Sequence, residues 1–222
     1  MGKLMVIDGL DGCGKSTQLQ LLDDSLSARG VAYRQISFPD YSQPSSALVK
    51  MYLGGELGGS ADAVNAYAAS SFYAVDRYAS YKCFWQEDYA SATPIVAARY
   101  TTSNAIHQMT KCPVEEWDSF LAWLEDYEYV KLGLPRPDKV VFLDMPIEVS
   151  QKLLEKRYDG DVDKKDIHER DITYLQNCRR AALYAAEKLG WTVIPCSREG
   201  EPLSPHEIHQ TLLGVFMEMN ES

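Results

Sequence analysis

The chain has 222 residues, of which 22 are Lys or Arg and 32 are Asp or Glu, so its formal net charge is −10 at pH 7. Such an acidic chain argues against sequence-independent binding of DNA or RNA, which depends on many lysine and arginine contacts to phosphates. The longest uncharged run, residues 63–75, is too short to cross a bilayer. We therefore expect no binding to nucleic acid or membrane, although a locally basic pocket could still bind a small phosphorylated ligand.

The cysteines are widely spaced along the chain and form no recognisable motif. Their number is odd, and no CxxC pair occurs among them. This pattern predicts separate reduced thiols in a cytoplasmic protein, without a disulfide framework or a zinc site. The five residues are Cys13, Cys83, Cys112, Cys178 and Cys196.

Hydrophobic patterning predicts short buried strands that alternate with helices along the whole chain. The predicted strands, in chain order, are residues 4–7, 31–37, 94–98, 140–143 and 191–194. The predicted helices are residues 15–29, 61–89, 114–132, a helix that begins near Pro146, then 166–189 and 205–219.

This alternation indicates right-handed βαβ units and a parallel sheet, which is an α/β architecture. Neither a linker nor a repeat interrupts the pattern, so we expect one domain over residues 1–222. Ligands of such sheets bind at the carboxyl ends of the strands. Residues directly after each strand are therefore the first candidates for a functional site.

The loop after the first predicted strand, residues 9–16, has the sequence GLDGCGKS and matches GxxxxGK[ST] in full. Its glycines allow backbone N–H groups to surround phosphates, Lys15 neutralises the transferred phosphoryl group, and the Ser16 hydroxyl ligates Mg²⁺. A glycine-rich turn could match by chance, but this one follows a strand and opens a helix. The predicted nucleotide-binding residues are Gly9, Leu10, Asp11, Gly12, Cys13, Gly14, Lys15, Ser16 and Thr17.

The loop predicts binding of a nucleoside triphosphate and leaves the reaction open. The Asn-Lys-x-Asp motif of guanine-specific switch proteins is absent from the sequence. A motor or helicase would need accessory domains for which the length leaves no room. A small kinase remains, and it requires a second site for the phosphate acceptor.

Four further segments resemble thymidylate kinases in their order and spacing. They are residues 38–41 (FPDY), 73–77 (YAVDR), 99–107 (RYTTSNAIH) and 166–171 (DIHERD). With the phosphate-binding loop, the resemblance extends from Lys3 to Ile194. It implies a P-loop NTPase fold, with a three-layer αβα arrangement, a five-stranded parallel sheet and a lid segment at about residues 156–166. The implied activity is ATP- and Mg²⁺-dependent conversion of dTMP to dTDP, with ATP and dTMP as the substrates.

Tyr73 and Arg77 are four residues apart in a predicted helix, so they share one face and could contact one ligand. An aromatic ring can stack on a base, and an arginine can bind a phosphate or a base edge. The other interpretation is that Tyr73 packs in the core and Arg77 lies in an ion pair on a solvated face. The resemblance favours Tyr73 stacked on thymine with Arg77 beside the base.

The resemblance also implies roles for the residues that follow the second and third strands. Arg99 would bind the phosphate of the acceptor, and Asn104 would recognise the edge of the base through its amide. His107, where some family members have Tyr, would line the sugar pocket, although a single histidine more often packs beneath a loop. The remaining implied dTMP-binding residues are Phe38, Pro39, Tyr41 and Glu169.

The variable positions of the phosphate-binding loop carry no cation, so positive charge has to come from elsewhere during catalysis. The resemblance implies a lid that closes over the triphosphate, excludes water and delivers a cation. A solvated charged loop is the other interpretation of this segment. The candidate cations are Arg157, Lys164 and Lys165.

Three carboxylate positions bear on the metal and on the acceptor. Asp11 resembles the acidic residue that orients the 3′-hydroxyl of the acceptor, although a turn aspartate that binds nearby backbone is about as good an interpretation. Many thymidylate kinases have Asp where this chain has Ala98, which leaves no carboxylate for the metal at this strand. Asp144 resembles a Walker B carboxylate but follows a different strand from the one that the family uses.

Two other classes of function remain at this stage. Another nucleoside monophosphate kinase or a deoxynucleoside kinase is the first, but a deoxynucleoside kinase needs a carboxylate base, which Ala98 does not supply. A non-catalytic P-loop binding protein is the second, and the intact Lys15 and Ser16 argue against it. The family is usually dimeric through its helices. Trp85, Trp117 and Trp123 could belong to such an interface or to the core.

Overall fold

The computed structural model describes residues 1–58, 63–157 and 172–221. Their contacts divide the chain into two compact units. The first unit contains Met1–Val6 and Tyr33–Asp138, and the second contains Ile7–Ala32 and Lys139–Ser222.

The central feature is a five-stranded parallel sheet, and each predicted strand is present in it. Its order is β2-β3-β1-β4-β5, and flanking helices complete the expected α/β fold. All six residues of the first strand are buried, as expected for a continuous apolar run in a parallel sheet. The strands are β1 (Leu4–Gly9), β2 (Arg34–Ser37), β3 (Ile95–Ala98), β4 (Lys139–Asp144) and β5 (Thr192–Pro195).

The second strand is shorter than the sequence predicts, because it begins at Arg34 instead of Val31. The preceding helix ends in a turn in which Gly30 has a φ of +65° and the Val31 N–H donates to the Leu26 carbonyl. This turn satisfies the free carbonyls at the helix end and uses the residues that the pattern gave to the strand.

The first unit contains five helices in its described part, and two predicted helices are interrupted there. The helix predicted at 61–89 begins at Ala66, where the Asn65 side chain caps the Ala68 N–H, and is broken by a π turn at Tyr81–Trp85. The helix predicted at 114–132 ends in a second π turn, Asp126–Lys131. The helices are α2 (Ala47–Leu53), α3 (Ala66–Ser80), α4 (Gln86–Ala90), α5 (Thr102–His107) and α6 (Trp117–Glu125), of which α2 and α5 are not among the predicted helices.

The tryptophans of the first unit belong mainly to its core. Trp85 and Trp117 are buried, and Trp85 packs edge-on against the buried Tyr100 ring. Trp123 lies in an aromatic cluster with Phe120 and Tyr127. The core interpretation therefore holds for Trp85 and Trp117.

The second unit surrounds the predicted phosphate-binding loop. The described helices are α1 (Lys15–Ala28), α7 (Ile147–Arg157), α8 (Ile172–Leu189) and α9 (Pro205–Glu221). The first six residues of the helix predicted at 166–189 lie outside the described residues. A short antiparallel hairpin, Ser197–Arg198 with Glu201–Pro202, was not predicted. Within the described ranges, every helix is too short or too polar to cross a bilayer.

Candidate active site

The loop of residues 9–16 connects β1 to α1 and has the backbone that its glycines allow. Gly12 and Gly14 have φ values of +78° and +93°, a region that favours glycine. A Cβ on Gly12 would lie 3.0 Å from Leu154 Cγ and 3.3 Å from Ser150 Cβ. The dihedral angle therefore favours glycine at position 12, and a larger residue would also press on Leu154 and Ser150.

Lys15 begins α1, and its ammonium group turns back onto the loop. Nζ donates to the carbonyls of Gly9 (2.7 Å) and Leu10 (3.0 Å), and Asp11 Oδ1 lies 3.9 Å away. The charge is thus held at the loop by backbone oxygens and one carboxylate, all within six residues of Lys15. The Asp11 carboxylate faces this lysine, as well as the cavity beside the loop.

A cavity of about 630 Å³ adjoins the loop, within the size range of small-molecule sites. All the predicted loop residues from Asp11 to Thr17 line it, whereas Gly9 and Leu10 are buried and do not. The remaining lining is largely apolar, and the sequence analysis missed these residues because they follow no motif. They are Met145, Leu153, Leu154, Pro202, Leu203, Pro205 and Ile208, together with Gln18.

Asp144 ends β4 and binds an arginine in a fork. Arg179 Nε donates to Oδ1 (2.6 Å) and Nη2 to Oδ2 (2.8 Å). The hydrogen bonds to Asp144 raise the pKa of the Arg179 guanidinium. Both oxygens of this Walker-B-like carboxylate therefore have a protein partner.

The predicted acceptor residues of the first unit form a buried polar cluster. Arg77 is 1% exposed, so the interpretation of a solvated face does not hold. Its Nε donates to Glu128 Oε2 (2.7 Å), Nη2 to Glu128 Oε1 (2.5 Å) and Nη1 to the Tyr100 carbonyl (3.2 Å). Burial alone would lower the pKa of Arg77, but the Glu128 carboxylate more than offsets this effect and raises it.

Asn104 belongs to the same cluster. Its side chain is 1% exposed, and its amide nitrogen donates to Glu128 Oε1 (3.1 Å) and to the Ser70 carbonyl (3.2 Å). Glu128 therefore joins two residues that the sequence predicts on the base. Glu128 itself was not predicted, because it lies in a helical stretch where no motif distinguishes it from neighbouring acids.

Arg99 directly follows β3 and has a φ of +62°, which is rare for a residue other than glycine. Its Nη1 lies 3.1 Å from His107 Nε2. Because arginine can only donate, His107 accepts this hydrogen bond through an unprotonated Nε2. Two of the predicted dTMP-binding residues are thus in direct contact.

Tyr73 is partly buried against Tyr52, with ring centroids 6.3 Å apart in an edge-on arrangement. Burial raises the pKa of the Tyr73 hydroxyl above its usual value. The Tyr52 hydroxyl accepts a hydrogen bond from Lys111 Nζ (2.7 Å). This side of the Tyr73 ring is therefore fixed by protein contacts.

The loop after β2 carries the other predicted acceptor residues. Phe38 is buried against the Tyr100 ring, and the bond to Pro39 is cis. Tyr41 is half exposed. Asp76, which was not predicted, accepts hydrogen bonds from the Asp40 N–H (2.9 Å) and the Ser45 hydroxyl (2.6 Å) and so anchors this loop to α3.

The remaining predicted site residues cannot be placed. Lys164, Lys165 and Glu169 lie outside the described residues. Arg157 is the last residue of α7, and its side chain also lies outside the description. Their roles stay predictions.

Comparison with known proteins gives a consistent result. The thymidylate kinase family model matches residues 7–205. The chain is 30% identical to the thymidylate kinase of Mycobacterium tuberculosis (strain CDC 1551 / Oshkosh) over 184 residues, which cover 82% of this chain and 84% of that protein. It is 27% identical to the thymidylate kinase of Caenorhabditis elegans over 158 residues, 67% of this chain and 66% of that protein.

A solved structure shares the fold. The thymidylate kinase from Candida albicans aligns with a TM-score of 0.71 at 20% sequence identity, and the alignment covers 99% of this chain and 92% of that chain. At this level of identity, the likeness supports the architecture and not the details of the site.

Proposed function

The chain belongs to the thymidylate kinase family and is thus a nucleoside monophosphate kinase. We propose the following roles for its residues in the transfer of a phosphoryl group from ATP to dTMP. ATP binds at the phosphate-binding loop, and dTMP binds at the cluster around Arg77 and Asn104. The observation that carries the proposal is this cluster, in which one buried carboxylate joins two side chains suited to a base edge.

The cavity beside the loop supports its assignment to ATP. Backbone N–H groups around Gly12 and Gly14, at the amino end of α1, suit the phosphates. The apolar lining, including Pro202 and Leu203, suits the flat faces of a base. Lys15 would leave its loop carbonyls for the phosphates and neutralise the charge that develops on the transferred group.

Mg²⁺ fits this site as a partner of ATP. Ser16 is exposed in the cavity lining, and within the described ranges its hydroxyl makes no hydrogen bond. Mg²⁺ usually keeps several waters and takes its other ligands from phosphates, so one protein hydroxyl is enough to hold it beside ATP. Ser16 would hold the ion, which would supply charge neutralisation and orientation of the phosphates.

The acceptor phosphate is already an anionic nucleophile, so the reaction requires no general base. Arg99 would bind this phosphate, and its contact with His107 supports a fixed orientation. Tyr73 would stack on the thymine, and Phe38, Pro39 and Tyr41 would line the sugar and phosphate. Asp11 would orient the 3′-hydroxyl, and Glu169 would lie near the sugar.

The lid proposal concerns residues 156–166. The variable loop positions Leu10, Asp11, Gly12 and Cys13 carry no cation, so the transferred phosphoryl group needs a further positive charge. Arg157, Lys164 and Lys165 are the proposed source. Closure would also exclude water, which would otherwise compete as the acceptor.

A homodimer is part of the proposal. Val75 and Tyr78 on α3 and Phe84 in the following π turn are exposed although they are apolar or aromatic. A second copy of this chain would cover them. Light scattering on the purified protein tests this, and a monomer at micromolar concentration would exclude it.

The five free cysteines support the proposed cytoplasmic location.

A coupled assay of ADP formation with a panel of acceptors tests the function. We expect Mg²⁺-dependent turnover with dTMP and none with thymidine. Phosphorylation of thymidine with no reaction of dTMP would identify a deoxynucleoside kinase. ATP binding without turnover on any acceptor would identify a non-catalytic nucleotide-binding protein.

A further inference from the structure

Glu128 is one of three fully buried carboxylates in the described part of the chain, with Asp8 and Asp76. It lies in the π turn Asp126–Lys131 that ends α6, and such turns occur often at functional sites. The neighbouring Tyr129 hydroxyl is hydrogen-bonded to Thr101, which directly precedes α5. The turn is therefore tied to the segment that carries Asn104.

We propose that Glu128 is a positioning residue that selects the kind of base edge the acceptor site accepts. The proposal rests on the proposed function, because it takes Arg77 and Asn104 as the residues that contact the base. Glu128 itself would not touch the nucleotide. It acts through the hydrogen bonds that it accepts from these two side chains.

The first step concerns the orientation of the Asn104 amide. A side-chain amide has a donor end and an acceptor end, and its partners decide which way it lies. Asn104 faces the Glu128 carboxylate and the Ser70 carbonyl, which both accept only, so its NH₂ group must point to them. Its Oδ1 is left for the ligand and can act only as an acceptor.

The second step concerns Arg77. The guanidinium has five N–H groups, and Glu128 and the Tyr100 carbonyl take three of them. Among the described residues, the other two have no protein acceptor. Arginine can only donate, so a ligand at this cluster would meet a donor from Arg77 and an acceptor from Asn104, two side chains that bind the same Glu128 oxygen.

This pairing of a donor with an acceptor matches one pyrimidine edge and opposes another. Thymine has the O4 acceptor next to the N3–H donor, which complements Arg77 and Asn104 respectively. Cytosine has the N4 amino donor next to the N3 acceptor, so both contacts would place like groups together. Glu128 thus fixes a preference for thymine over cytosine, because it holds both side chains in one orientation.

The experiment compares dTMP and dCMP as acceptors for Glu128→Gln and Glu128→Asp. The wild-type carboxylate can only accept and so fixes the Asn104 amide in one orientation. The amide of Gln can also donate to Asn104 Oδ1, so both orientations of Asn104 become possible. Asp keeps a counter-ion for Arg77 but is one methylene shorter, so it cannot hold both partners. The matched control is Glu125→Gln, which removes an acid three residues earlier that pairs with Arg136 at the surface.

The main readout is the ratio of kcat/KM for dTMP to that for dCMP, measured on one preparation. A partly unfolded sample lowers both values equally, so the ratio is unaffected by stability. We expect the ratio to fall by about tenfold or more in a folded Glu128 variant, since a site built for hydrogen bonds discriminates through them. The KM for ATP and the ratio of the Glu125→Gln control should stay unchanged.

The outcomes separate the two proposals. An unchanged ratio in Glu128→Asp or Glu128→Gln, with dTMP still phosphorylated, overturns the positioning role and leaves Glu128 as a counter-ion only. If Glu128→Gln does not fold, the Glu128→Asp ratio decides. If the wild-type protein does not phosphorylate dTMP, the proposed function fails independently of Glu128.

Discussion

The phosphate-binding loop (residues 9–16) and the buried cluster of Arg77, Asn104 and Glu128 hold their charged side chains by contacts of opposite kinds, one local and one distant in sequence. Lys15 binds carbonyls of its own loop, five and six residues away in sequence. Arg77 binds a carboxylate 51 residues away, which also binds Asn104 at a distance of 24 residues. The first arrangement is local and follows from one motif, whereas the second exists only after the chain has folded.

The two regions also differ in what their cations can do. Lys15 lines a cavity and is held by two neutral carbonyls, with the Asp11 carboxylate 3.9 Å away, so it can exchange these partners for phosphates. Arg77 is enclosed and tied by three hydrogen bonds, two of them to a charged partner. We therefore expect the loop to supply charge for the reaction, and the cluster of Arg77, Asn104 and Glu128 to supply fixed directions for recognition.

Arg77→Met should have the largest effect on stability, because it leaves the Glu128 carboxylate buried without a counter-ion. We expect the free energy of unfolding to fall by about 3–5 kcal/mol, measured by urea denaturation. Arg136→Met, which breaks a surface pair with Glu125, is the control and should cost under about 1 kcal/mol.

The double variant Arg77→Met with Glu128→Leu sharpens this test. It replaces the whole ion pair by apolar side chains, so most of the stability should return while dTMP turnover stays low. Equal losses in Arg77→Met and the control would show that the cluster is no more than a surface ion pair in energetic terms.

Lys15→Ala tests the other side of the comparison. We expect kcat to fall by about 10²–10³, as for the loss of one preorganised charge contact in a transition state. The urea midpoint should barely change, because the contacts of Lys15 are local. Lys50→Ala, an exposed lysine on α2, should match the wild type in the same coupled assay. Wild-type kcat in a folded Lys15→Ala variant would remove the loop from catalysis.

The next prediction tests whether the phosphate-binding loop by itself supplies enough positive charge for phosphoryl transfer, or whether lid cations are also needed. The triple variant Arg157→Ala, Lys164→Ala, Lys165→Ala should lower kcat by about 10² with little change in the KM for dTMP. Single variants then identify the cation that matters most. Normal turnover of the triple variant would contradict the lid assignment.

His107→Ala has the smallest expected effect. It tests whether His107 positions Arg99, the residue proposed to bind the dTMP phosphate. Loss of the Arg99 contact should raise the KM for dTMP by about tenfold. If His107 also lines the sugar, discrimination against the ribose counterpart of dTMP should relax by a few-fold to about 10²-fold. If the ratio of kcat/KM for dTMP to that for its ribose counterpart is unchanged, His107 only positions Arg99. If the KM for dTMP is unchanged as well, His107 has neither role.

The fold was largely predictable because its signal is repeated along the chain. Five apolar runs predict five strands, and all five are in the sheet. Errors occur where one local interaction competes with the pattern, as at Val31, whose N–H completes a helix end. The π turns at Tyr81–Trp85 and Asp126–Lys131 were not predictable. A π turn differs from the α-helix around it by one extra residue per turn, and it is built from the same types of residue.

The sequence by itself determined the phosphate-binding loop, since the loop's function depends on glycine dihedral angles and on the start of one helix, which are local properties. The resemblance also implied that Arg77 and Asn104 each lie at the base, without linking the two residues. Only the tertiary structure decided that Glu128 holds them. A buried charge can choose its partner from any distance in sequence, and the choice is made by which elements pack together. For the same reason, the apolar side chains that line the cavity became apparent only when the chain was folded.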